Sequence, residues 1–155
     1  MNIKTLILFI ATMTGQQLLN ALEFCYSGLP NEVGRFLHIS GMRLCIDTSV
    51  QPVFEMQDGM YVAIADDSPR RVHNLEIMNT NTGQYEPVDL AKTYSVASTD
   101  YLLKNLGGEG AFRYAILNTD LMIPDVDLVI QYLREVLGGK VPYIYQSPEG
   151  RISMK

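Results

Sequence analysis

The chain has 155 residues, 47% of them apolar, and a formal net charge of −5. Such a length and apolar share fit one domain with a sizeable core. The acidic balance argues against a general nucleic-acid binder, which needs a basic stripe, and against binding to an anionic membrane surface.

The chain opens "MNIKTLILFIATMTGQQLL". Lys4 followed by the apolar run Leu6–Ala11 has some character of a secretory leader. That run meets Thr12 early, lacks a small-x-small cleavage site and is too short to span a bilayer. The alternative is a buried strand over Leu6–Thr12. Thr14 and Gln17 then form a capping box, with Met13 and Leu18 in the positions of a hydrophobic staple. A helix is therefore predicted from Gly15, with Leu18, Leu19, Leu22 and Cys25 on one apolar face. Gly28 and Pro30 are placed to end it. A helix start set directly behind a short apolar run favours the strand.

Further strands are predicted at Phe36–Ile46, Val53–Ala65, Arg71–Met78 and Thr93–Ser98. "ADDSPRR" (Ala65–Arg71) and "NTNTG" (Asn79–Gly83) read as turns. A second helix is predicted in "PDVDLVIQYLREVLGG". Pro124 suits its first turn, Asp125 and Asp127 suit its N-terminal dipole end, and Gly138–Gly139 end it. Val126, Val129, Ile130, Leu133, Val136 and Leu137 make one apolar stripe. Interspersed strands and helices with hairpin turns give an α+β domain, with a mixed, largely antiparallel sheet packed with helices. Cys25 and Cys45 are too few for a disulfide framework. They are either two reduced core residues or a single bridge in an exported chain.

Chemistry-bearing residues are sparse. His38 and His73 are each isolated in a strand pattern, and a metal site needs convergent ligands. No Ser or Cys nucleophile stands with a base. "NLGGEGAFRY" (Asn105–Tyr114) allows close backbone approach to a ligand, but it lacks the Gly-Lys-Ser/Thr ending of a phosphate-binding loop. By itself it also reads as a tight turn before a short helix.

Taken in order, "TGQQLLNALE", "GRFLHISGMRLCID", "KTYSVASTDYLLKNLGGEGAF", "DVDLVIQYLRE" and "EGRI" resemble the C-terminal domain of the 5′-nucleotidase family. These are the relatives of periplasmic UDP-sugar hydrolase and ecto-5′-nucleotidase. The resemblance runs from about Leu6 to Ile152. It makes residues 1–155 one such domain, beginning late relative to the family. It implies a substrate-recognition role for a nucleotide or nucleoside, beside a metallophosphoesterase domain in cis or in trans. That other domain would hold the divalent metal pair and the catalysis. No cofactor, catalytic residue, nucleic-acid partner or membrane span is expected in this chain. The resemblance also implies a periplasmic or extracellular location.

The family clamps the base between two rings, one directly after Gly-Gly-Asp-Gly. Here Glu109 replaces the Asp, Ala111 takes the aromatic position and Phe112 follows one step later. Lys4 stands where the other ring belongs. The resemblance thus implies a weakened site of Gly108, Glu109, Gly110, Phe112 and Arg113. Phe112 is the stacking ring this implies, with Tyr114 or Tyr101 as a substitute, and any nucleotide binding is expected to depend on it. Phe112 can equally anchor the loop into the core. In that case the chain is a non-enzymatic interaction module that has kept the fold and lost the nucleobase pocket.

Overall fold

The structure, a computed structural model, describes residues 6–104 and 108–155. Strand β1 (Ile7–Thr14) runs directly into helix α1 (Gly15–Tyr26). The capping box is formed: the Thr14 hydroxyl accepts the Gln17 N–H at 3.2 Å, and Gln17 Oε1 accepts the Thr14 N–H at 2.8 Å. Gly15 is required by close approach. A Cβ there would lie 2.3 Å from the Asp89 carbonyl oxygen, while its own N–H donates to Lys92.

β1 is the middle strand of a three-stranded antiparallel sheet. It lies between β7 (Thr93–Thr99) and β8 (Ile116–Pro124). Its alternate residues Phe9, Ala11 and Met13 are buried, as a half-buried strand of period two requires. A second sheet has the order β6 (Tyr85–Pro87), β5 (Val72–Met78), β2 (Met42–Ile46), β9 (Ile152–Met154). Only its β2–β9 pair is parallel. The hairpin of β3 (Phe54–Gln57) and β4 (Met60–Ile64) stands apart.

α1 serves both halves of the core. Ala21, Phe24 and Cys25 join one buried cluster with Phe9, Tyr61 and Phe112. Leu18, Leu22 and Tyr26 join another with Leu44, Ile46, Val72 and Leu75. The single apolar face read from the sequence is therefore too narrow, because α1 is buried on two sides. Both cysteines are free thiols. Burial pushes the Cys25 thiol up to about 12, which keeps it a neutral packing group.

Glu23 and Arg71 are also fully buried. The Glu23 carboxylate accepts the backbone N–H groups of Arg71 and Val72, each at 3.0 Å. The Arg71 guanidinium donates to the carbonyls of Tyr26, Leu29, Thr48 and Val50. These bonds tie α1, the loops that follow α1 and β2, and the start of β5 together. They also satisfy polar groups that would otherwise be costly to bury.

Three further sequence expectations need correction. The strand at Phe36–Ile46 exists only from Met42, because the chain bends at Ser40–Gly41, where Gly41 has φ 72°. The strand at Val53–Ala65 is a hairpin: Asp58 (φ 52°) and Gly59 (φ 77°) turn it back on itself. An Asp-Gly pair with both φ positive is a favoured two-residue hairpin turn. The third concerns the late helix. Regular α3 spans only Asp125–Gln131 and passes into a π-helical turn, Tyr132–Val136. Val126, Val129 and Val136 of its stripe are more than half exposed. The helical spacing sets an apolar side but names no partner for it. In this fold α3 follows β8 directly and contacts that strand and the π-helical turn after it.

Candidate functional site

The glycine-rich turn follows the short helix α2 (Asp100–Leu103) and spans Gly108–Gly110 as one 3₁₀ turn. Gly107 lies outside the described residues, as does Lys4. Glu109 has φ 59° and Gly110 φ 82°. At Gly110 a Cβ would also meet Met60 Cε at 3.2 Å, so the turn is pressed against β4. A non-glycine residue in the left-handed region is uncommon, and such residues concentrate at functional sites.

Arg35 holds Glu109 in place. Its Nη1 lies 3.1 Å from Glu109 Oε1, its Nε donates to the Phe24 carbonyl at 3.1 Å, and its Nη2 donates to Ser27 Oγ at 3.0 Å. Its guanidinium also sits 4.8 Å from the centre of the Phe24 ring. Arg35 thereby fastens the turn to the C-terminal end of α1. Sequence reading missed Arg35. The two residues are 74 positions apart, and no local pattern links them.

After the turn the side chains divide. Ala111 and Phe112 are buried, Phe112 with only 4% of its surface exposed, in the cluster that holds Phe9 and Leu103. Arg113 is exposed, donates from Nη1 to the Tyr61 carbonyl at 2.6 Å and lies 5.8 Å from the Tyr114 ring centre. Tyr114 is 46% exposed and donates its hydroxyl to the Val62 carbonyl at 2.8 Å. Tyr101 on α2 is 53% exposed. Burial raises the Tyr61 phenol to about 12. Beside β4 the surface therefore offers the Tyr114 ring, a cation, and a carboxylate already engaged by Arg35, while the accessible Tyr101 ring stands on α2, which precedes the turn in the chain. Such groups can stack on a planar ring and attract an anion.

Metal ligation has no comparable centre. His38 is exposed on a loop, and His73 lies on β5 opposite Cys45 of β2. Among the described residues, no three His, Cys, Asp or Glu side chains converge to hold an ion. No helix among the described residues is long and apolar enough to cross a membrane.

Residues 6–115 match the model of the 5′-nucleotidase C-terminal domain. The chain belongs to that family. Curated 5′-nucleotidases of Rattus norvegicus and Mus musculus are 25% and 24% identical over 145 residues. In each case the match covers 92% of this chain and 22% of the relative. Among solved structures, a 5′-nucleotidase precursor from Thermus thermophilus superposes with a TM-score of 0.75 at 26% identity. It covers 97% of this chain and 25% of that one. The NAD nucleotidase of Haemophilus influenzae has the same fold, with a TM-score of 0.67 at 18% identity over 98% of this chain and 25% of that one. The chain thus corresponds to about a quarter of its relatives' length. The α+β, largely antiparallel architecture is that of the family's C-terminal domain.

Proposed function

We propose that this 5′-nucleotidase C-terminal domain recognises a nucleotide or nucleoside for a phosphoester hydrolase. The dimetal chemistry would reside in a metallophosphoesterase domain, in cis or in trans. The observation that carries this reading is the exposed Tyr114 ring with Arg113 directly after the Gly108–Glu109–Gly110 turn that Arg35 holds, with a second exposed ring, Tyr101, on the helix before it in the chain. In this reading a base stacks on an exposed tyrosine, Arg113 faces the anionic part of the ligand, and the glycines let the backbone approach. Phe112 supports the turn from below. Base–ring stacking contributes about 1–3 kcal/mol per base. A site with one stacking face in place of two therefore binds in the upper micromolar to millimolar range. A periplasmic or extracellular setting belongs to the same proposal.

A second reading has its own support. The burial of Phe112 removes the ring that follows the glycines from the surface, which favours an interaction module that keeps the fold without the pocket. Titration calorimetry with AMP and adenosine separates the two. Tyr101→Ala and Tyr114→Ala alter exposed side chains, so both should stay folded. Weak binding by the wild type that either variant lowers about tenfold supports nucleotide recognition. No binding at millimolar ligand supports the interaction module.

A further inference from the structure

β7 has an open side. Its inner edge pairs with β1, and among the described residues no strand pairs with its outer edge. Such an edge presents a row of backbone N–H and C=O groups that can take another strand. Across a groove of about 510 Å³ stands the segment Leu37–Gly41. Leu37 and Ile39 line one wall, Tyr94, Val96 and Ser98 the other, and Phe112 borders the same space.

This segment carries the strand patterning of 36–46 without forming a strand. It leaves the line of β2 at Gly41, whose φ is 72° and around whose absent Cβ nothing lies within 4 Å. The Gly41 carbonyl accepts the Met78 N–H at 2.8 Å. Met78 and Tyr94 line both the groove and a smaller hollow beside it, which places Gly41 at the Tyr94 end. The segment therefore runs antiparallel to β7. The carbonyls of Leu37 and Ile39 are already taken, by the Tyr26 hydroxyl at 3.0 Å and by Arg151 at 2.5 Å. His38 and Ser40 line the groove as well, and in a strand the polar groups of neighbouring residues point to opposite sides.

We propose that Leu37–Gly41 is a strap that adds to the outer edge of β7 as a fourth, antiparallel strand. His38 then lies opposite Ala97 and Ser40 opposite Ser95, and the groove closes beside Phe112. Gly41 is the hinge: its left-handed φ in the open form becomes the negative φ of a strand in the closed form. The open form leaves the groove accessible and the closed form excludes its contents, so the strap gates the space. The motion needs no ligand and does not depend on the nucleotide reading.

Gly41→Ala tests the hinge. The added methyl meets no obstacle, but alanine disfavours the left-handed φ and shifts the balance toward the closed form by about 5- to 30-fold. Hydrogen exchange at the β7 amides not bonded to β1 should slow by up to that factor. A cysteine pair, His38→Cys with Ala97→Cys in a Cys45→Ser background, tests the register. Directly opposed residues are within disulfide reach. This pair should oxidise to an intramolecular bridge, while a His38→Cys/Thr93→Cys control stays reduced. Unchanged β7 exchange in a folded Gly41→Ala protein would overturn the proposal. So would failure of the His38/Ala97 pair to bridge, or equal bridging by both pairs. If Gly41→Ala does not fold, the cysteine pairs decide.

Discussion

Glu23→Gln offers the sharpest test of how the fold holds the site. The Glu23 carboxylate uses one oxygen for the Arg71 N–H and the other for the Val72 N–H. Glutamine keeps one acceptor and turns an NH₂ donor toward the second N–H. One buried backbone N–H then loses its acceptor and faces another donor, at a cost of about 1–3 kcal/mol. Removing a carboxylate that is expensive to bury returns part of this. The net destabilisation should be about 1–2 kcal/mol, or roughly 2–8 °C in Tm for a domain of this size. Glu23→Ala strands both donors and leaves a void, so it should cost roughly 3–5 kcal/mol. The pH dependence gives an independent sign. Burial outweighs the two N–H bonds and raises the Glu23 pKa above its ordinary value. A group raised in the folded state contributes fully below its unfolded pKa and loses that contribution as pH rises through the folded value. Urea titrations should therefore show a wider gap between wild type and Glu23→Gln near pH 4.5 than at pH 8. A glutamine variant as stable as wild type, or a gap that widens with pH, would refute the reasoning.

Phe112→Ala should destabilise the domain by about 3–5 kcal/mol, because the ring is a core member, whereas Phe112→Leu should cost far less; thermal melts compare them. Asp47 has its pKa lowered to about 2, chiefly by the Ser49 hydroxyl and then by Lys155. Its stabilising contribution is present above its unfolded pKa and is lost as pH falls through the folded one. Asp47→Asn should therefore flatten the loss of stability between about pH 4 and pH 2, followed by circular dichroism. The chain alone should not turn over nucleotides, cyclic nucleotides or phosphate esters with added divalent metal. Chelator-sensitive hydrolysis that persists through further purification would contradict this.

The β1–α1 junction was legible in the sequence because its signals are local. Thr14, Gln17 and the apolar run before them specify a cap whatever the rest of the fold does. Strands β5 and β7 were legible for a similar reason, with their flanking turns marked by polar and glycine residues. The bend at Gly41 was not legible, because strand patterning continues through it. The apolar stripe of α3 was visible, but amphipathicity does not say what a helix packs against, and here it stays largely exposed. β8 and β9 carry no clear alternation and owe their strand form to their partners β1 and β2. At the site, the glycine turn and its flanking rings were visible. The Arg35–Glu109 link and the burial of Glu23 and Arg71 were not, because each joins residues tens of positions apart.

Nucleotide recognition by the Gly108–Tyr114 region is tested most directly by titrating AMP into the ¹⁵N-labelled chain and following amide shifts. The proposed site predicts saturable changes concentrated at Tyr101, Glu109, Gly110, Arg113 and Tyr114, with half-saturation between the upper micromolar and millimolar ranges. An absence of shifts at millimolar AMP, or shifts confined to α3 and β9, would contradict it.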